Sequence, residues 1–186
     1  MGLEMQFEIR PLTSKDAAAF QVLRLRSLRE SPEAFGSSYD EEVSRPLTAV
    51  AERLEAGLTP NARVVLGAFS EGTLIGVIGC AQESRAKSRH KAVIWGMYVT
   101  PEARGHGVGR ALLDRVVTEA RGWPNVERIV LSAVERAHAA RTLYVSAGFS
   151  PYAREVDAFR QNGKSDTLEF FALELIDRPT RRNTPV

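Results

Sequence analysis

The stretch Ala92-Val93-Ile94-Trp95-Gly96-Met97-Tyr98-Val99-Thr100-Pro101-Glu102-Ala103-Arg104-Gly105-His106-Gly107-Val108-Gly109-Arg110 passes from strand to helix through a glycine-rich loop. Residues 92–99 are mostly apolar and β-branched or aromatic, closed by Thr100-Pro101, which reads as a buried strand with a proline stop. Beyond the glycines, Val108, Leu112, Val116 and Ala120 recur at helical spacing, with Leu113 and Val117 beside them. Arg110, Asp114, Arg115 and Glu119 face the other way. The loop therefore ends at a helix N-terminus, whose free N–H groups and dipole favour an anion. Glycine lets a phosphate approach the main chain without meeting a Cβ. The segment suits a phosphorylated ligand.

Two familiar phosphate binders fail on particular residues. A P-loop needs Gly-Lys-Ser/Thr, and Gly109 is followed by Arg110-Ala111. A dinucleotide fingerprint needs glycine at position 110, which is Arg110. Arg104-x-x-Gly107-x-Gly109 after a strand ending Val-x-Pro resembles instead the acetyl-coenzyme A loop of the GCN5-related N-acetyltransferase (GNAT) superfamily. A second block agrees. Arg128–Val134 reads as a central strand, and Ala137–Ala147 as a short helix ended by Gly148-Phe149. Ala140-x-x-Leu143-Tyr144-x-x-x-Gly148-Phe149 is similar to the second signature of that superfamily, with Ala137 where its frequent asparagine stands. The resemblance covers roughly residues 60 to 176 well and the N-terminal third loosely.

With 186 residues the chain suits one domain, expected over 1–176, with a flexible polar tail over 177–186. Hydrophobic content of 44% and charged content of 26% are those of an ordinary globular protein. A net charge of +2, dispersed along the chain, argues against nucleic acid as partner. No apolar run reaches membrane-spanning length, none at the N-terminus precedes a cleavage site, and the single Cys80 cannot form an internal disulfide. The cytoplasm is the expected compartment. A homodimer is open as an assembly.

Along the chain, Phe7–Leu12 reads as a first strand, and Thr13 as a cap with Asp16 three residues on. A helix follows with Ala18, Val22 and Leu25 as its buried stripe and Arg24 and Arg29 outside, ending at Ser31-Pro32. Residues 35–45 read as loop and 47–56 as a second helix ending at Gly57. Residues 62–69 and 73–82 form a hairpin around Glu71-Gly72, and 85–91 turn into the strand quoted first. Late strands are expected at 148–160 and 166–175, around an Asn162-Gly163 turn. The order β-α-α-β-β-β-α-β-α-β-β reads as an α+β fold with a mixed, mainly antiparallel sheet. The resemblance implies that same GNAT-like order, flanked by helices, with the strands at 92–99 and 128–134 parallel and splayed around the ligand.

It also implies acetyl-CoA as acyl donor. Gly96 suggests a bulge that starts the splay. Met97, Tyr98 and Val99 are the expected main-chain partners of the pantetheine amides. Arg104, Gly105, His106, Gly107, Val108, Gly109 and Arg110 would hold the pyrophosphate, His106 through its main chain, and Ala137 and Tyr144 complete the cofactor side. Tyr144 stands where the family's acid often protonates the departing thiolate. The base is less plain, because Val93 and Ser132 stand where relatives carry glutamates. Glu83 and His90 could relay a proton through water; both also read as solvated hairpin residues. A third option is an acceptor that arrives partly deprotonated. Cys80 has no evident His partner and reads as a buried structural thiol. His90, His106 and His138 lack metal-ligand spacing, so no metal site is expected. The acceptor site is expected among Pro32–Tyr39, Arg85–Lys91 and Tyr152–Arg160. The basic Arg85, Lys87, Arg89 and Lys91 suit an acidic acceptor or a solvated tip.

The expected function is that of an N-acetyltransferase that moves acetyl to a primary amine of a small molecule by direct attack. The alternatives are an acyl-CoA-binding sensor without turnover, and acetylation of protein N-termini or lysines.

Overall fold

Glu71 and Gly72, with φ of 48° and 76°, both adopt left-handed backbone. That pair gives the two-residue turn whose twist matches flanking strands, here β2 (Arg63–Ser70) and β3 (Thr73–Gln82). The computed structural model describes residues 5–161 and 163–175. In β2 every residue from Val64 to Phe69 is buried, so helices must cover both faces of the sheet. Seven strands pair in the order β1-β2-β3-β4-β5-β7-β6. The remaining strands are β1 (Glu8–Pro11), β4 (Lys91–Val99), β5 (Arg128–Val134), β6 (Ser150–Gln161) and β7 (Lys164–Glu174). Among the described residues only the β4–β5 pair is parallel. The mixed sheet is the α+β architecture the sequence predicts.

Alternate residues of β2 enter two cores. Val65 and Phe69 meet α1 (Ala17–Glu30) and α3 (Leu47–Ala56) through Phe20, Leu23, Val50 and Leu54. Val64, Leu66 and Ala68 face the cluster of Val108, Leu112, Leu113 and Val116 from α4 (Val108–Arg121). Tyr144, on α5 (His138–Ser146), joins that second cluster. Among the described residues no helix is long and apolar enough to cross a membrane. The tail at 177–186 and Asn162 of the expected turn lie outside the described residues.

Two local readings need correction. Helix α1 buries Ala17, Phe20, Leu23, Ser27 and Leu28, while Ala18 is exposed and Val22 is 70% exposed. Both stripes have helical spacing, but burying the phenylalanine and two leucines removes more apolar surface than burying Ala18 and Val22. The rotation brings Arg24, one turn beyond Phe20, inward to a half-buried position. The second correction is α2 (Tyr39–Val43), inside a segment read as loop. Ser38 Oγ accepts from the Glu41 N–H at 3.3 Å, and Glu41 accepts from the Ser38 N–H at 2.7 Å, a capping box. At the start of α1, Asp16 accepts from the Thr13 N–H at 2.9 Å and from both ends of the Arg10 guanidinium. Those bonds hold its carboxyl down to about 2.

Candidate active site

Strands β4 and β5 pair at Lys91–Arg128, Ala92–Ile129 and Val93–Val130, and there the ladder stops. On the other side of β4, Gly96 and Met97 stand against the single residue Ile78 of β3. Gly96 has φ +65°, so this is a bulge that needs glycine, and it bends β4 away from β5. Strand β5 stays paired with β7 as far as Val134–Leu168. From Ile94 onward, β4 therefore offers main-chain groups to whatever enters the gap.

The gap opens into a groove of about 710 Å³. Met97, Tyr98 and Val99 line it, as do Ala137 and Tyr144 and the loop Arg104–Arg110 with the exception of His106, which is exposed outside it. Gly105 and Gly107 have φ of +80° and +81°, and a Cβ on either would meet nothing within 4 Å. Both glycines are there for the backbone they adopt, and their bare faces are open. Helix α4 makes its first bond from the Ala111 N–H to the Gly107 carbonyl at 3.0 Å, so the N–H groups before it have no helical acceptor. Gly109 acts through packing instead. A Cβ there would lie 3.3 Å from Met97 Cε, so its bareness sets how closely α4 approaches β4.

Arg104 Nε donates to the Val99 carbonyl at 3.0 Å and pins the loop to the strand end. Arg110 pairs with Asp114 at 2.8 Å and reaches the Ser146 carbonyl at 3.3 Å, tying α4 to α5. The Tyr98 hydroxyl bonds Glu30 of α1; burial, then that carboxylate, push the phenol up to about 12.

Tyr144 is buried against the rings of Phe149 and Phe171. Its hydroxyl has Met97 Sδ at 3.7 Å, a weak acceptor. Burial alone pushes this phenol up to about 12. It is a protonated donor with capacity to spare at the mouth of the gap.

A constriction of about 100 Å³, walled by Phe35, Gly96, Ser132, Val134 and Tyr144 among others, shares walls with the groove and with a second cavity. That cavity, about 460 Å³, lies on the α1 and α3 side and is walled by Phe20, Phe35, Trp95, Tyr152, Phe159 and Phe170. Val93 and Ser132 line it, as do two guanidinium groups, Arg24 and Arg53, and no carboxylate does.

Of three segments expected around an acceptor, residues 34–37 and the strand carrying Tyr152 and Phe159 contribute walls; the turn 85–91 does not. Glu83 and His90 line neither cavity, the groove nor the constriction. The Glu83 N–H donates to the Lys91 carbonyl at 2.9 Å, and the His90 carbonyl accepts from the Glu127 and Arg128 N–H groups. Both sit at the closed end of the β4–β5 pair, five to six strand residues from Gly96, or roughly 16 to 20 Å at about 3.3 Å per residue. Cys80 is buried in the core on β3, where burial pushes its thiol up to about 12. No group of His, Cys, Asp or Glu among the described residues could hold a metal ion.

Sequence reasoning missed Arg24, Arg53 and the aromatic residues Phe20, Trp95 and Phe170, whereas Phe35, Tyr152 and Phe159 fall in the expected segments. Phe20 and Arg24 stand one helical turn apart, and that spacing was the available signal.

The sequence profile of the acetyltransferase (GNAT) family matches residues 25–149. No curated protein matches the chain in sequence. The fold is similar to the acetyltransferase of GNAT family from Streptococcus pneumoniae, at TM-score 0.83 and 20% identity over 91% of this chain and 99% of that one. It is also similar to yncA from Salmonella typhimurium, solved with acetyl-CoA, at TM-score 0.81 and 22% identity over 96% and 99%. The ribosomal-protein-alanine N-acetyltransferase from Brucella melitensis superposes at TM-score 0.78 with 23% identity over 90% and 99%.

Proposed function

Because the chain belongs to the acetyltransferase (GNAT) family, matched over more than half its length, we propose that it moves the acetyl group of acetyl-CoA to a primary amine of a small molecule by direct attack. The observation that carries this is the constriction between β4 and β5. It joins the glycine-loop groove to a separate aromatic cavity, so donor and acceptor can meet from opposite sides of the sheet.

The groove suits the donor. Arg104 to Arg110 would hold the pyrophosphate on helix N–H groups and bare glycine faces. The unpaired edge of Met97–Val99 would hold the pantetheine amides as an added strand does. The donor supplies an acetyl thioester. The amine nitrogen forms a bond to the acyl carbon as the carbon–sulfur bond breaks, and Tyr144 gives its hydroxyl proton to the departing sulfur. A main-chain N–H near Met97–Val99 steadies the carbonyl oxygen as negative charge develops on it.

The amine's own proton leaves to solvent through the acceptor cavity. With no carboxylate on that wall, the reactive species is the neutral amine, and the positive field of Arg24 and Arg53 enlarges its fraction. Neither Glu83 nor His90 is needed.

Thiol release from acetyl-CoA, measured against a panel of small amines, tests the reading. Amine-dependent CoA release with N-acetyl product is expected. Tight acetyl-CoA binding with no amine-dependent release overturns it in favour of a sensor, and acetylation confined to protein substrates overturns the small-molecule acceptor.

A further inference from the structure

Arg24 is unlike the other arginines of the site. Its guanidinium makes no hydrogen bond or ion pair among the described residues, although the residue is half-buried. Its guanidinium lies 4.7 Å from the centre of the Phe35 ring, which orients it without neutralising it. Burial lowers its pKa, the mark of a cation short of a counter-charge.

The carboxylate whose charge acts on it, Glu42, is already committed. It is buried and takes Arg45 in two bonds, at 2.8 and 3.2 Å, with Arg53 Nη1 a further 3.7 Å away. Three arginines thus surround one carboxylate, and the two that line the cavity carry the surplus charge into it. The other walls are mainly aromatic and aliphatic, with the hydroxyls of Ser27, Ser37 and Ser132 and no acidic side chain. A buried cation left without a partner is costly, and an anionic ligand is what would relieve it.

Resting on the acceptor side assigned above, we propose that this cavity selects amines that also carry an anionic group, with Arg24 as its anchor, Arg53 as a second positive charge, and the aromatic wall taking an apolar body. The class is that of apolar amino acids and related aminophosphonates. Such a ligand presents its amine toward the constriction and its anion toward Arg24. Arg24 needs its planar fork for this, because a carboxylate or phosphonate is met in two parallel bonds.

Isothermal titration of the CoA-loaded protein with leucine and phenylalanine, each beside its decarboxylated counterpart, isopentylamine and phenethylamine, tests the proposal. The acids are expected to bind at least tenfold more tightly than the plain amines. Arg24→Gln should cut that preference to within threefold, and Arg24→Lys should retain an intermediate one. Equal binding of acids and amines, no binding of the acids at millimolar concentration, or an undiminished preference in folded Arg24→Gln protein overturns it. The wild-type comparison decides the matter even if Arg24→Gln does not fold. Binding is read without turnover, so acids that bind yet are never acetylated overturn the transferase reading and leave the anion site standing.

Discussion

Replacing Tyr144 by phenylalanine separates chemistry from packing. The ring stays, and with it the contacts to Phe149 and Phe171 at centroid distances of 6.3 and 5.8 Å. What is lost is a hydroxyl whose neighbour is the Met97 thioether at 3.7 Å. An ordinary hydrogen bond contributes about 1 kcal/mol and a sulfur acceptor less, so stability should change by under about 1 kcal/mol. In a protein of this size that is a shift of at most about 4 °C in Tm. Loss of a general acid typically costs a hundredfold or more in kcat, which is about 2.7 kcal/mol of barrier. The phenol is held at about 12, so it stays protonated across the usual assay range and adds no basic limb to the wild-type profile. CoA release and acetyl-CoA titration on the same preparation read both effects: turnover falls at least a hundredfold while acetyl-CoA affinity stays within threefold. A folded Tyr144→Phe protein turning over within threefold of wild type refutes the acid and leaves Tyr144 as packing.

Gly107→Val should abolish acetyl-CoA binding in a titration, since the branched side chain fills the bare face of the loop; unchanged affinity removes the loop from the pyrophosphate site. Its φ of +81° adds about 1–2 kcal/mol of backbone strain, which a lower Tm should report. Glu83→Gln and His90→Gln should each keep the wild-type pH profile of kcat/KM, whose acidic limb should instead move when the acceptor's own pKa is changed; loss of the limb in either variant makes that residue the base. Cys80→Ala should remain active, as its thiol is buried in the core away from the gap. The folded thiol pKa is raised from 9.0 to about 12, so its stabilising contribution is complete below pH 9 and is lost as pH rises toward 12. Between pH 9 and 10 wild type should therefore lose about 1 kcal/mol more stability than Cys80→Ala, read from urea midpoints; equal losses contradict the assignment.

The sheet was legible because its signals are local. Glu71-Gly72 dictates a hairpin turn, Gly57 ends α3, and Val108, Leu112 and Val116 can only be the inner face of α4. The groove of the glycine loop was equally legible, since that loop and a helix N-terminus are continuous in sequence. The second cavity was legible only through residues 34–37 and the strand of Tyr152 and Phe159, because α1, α3, β4 and β6 assemble it from distant positions. On α1 two apolar stripes competed, and only packing against Phe69 and Leu74 chose the one that turns Arg24 inward. The α2 helix was legible in principle from Ser38-x-x-Glu41. Glu83 and His90 were near the strand in sequence, yet the pairing of Lys91 with Arg128 puts them at its closed end.

Initial velocities measured over a grid of acetyl-CoA and amine concentrations bear most directly on transfer through the constriction. Direct attack requires both substrates bound together, so double-reciprocal lines should intersect, and intact-mass spectra of protein incubated with acetyl-CoA alone should show no added acetyl group. Parallel lines with acetyl found on the protein, at Cys80 or elsewhere, would contradict it.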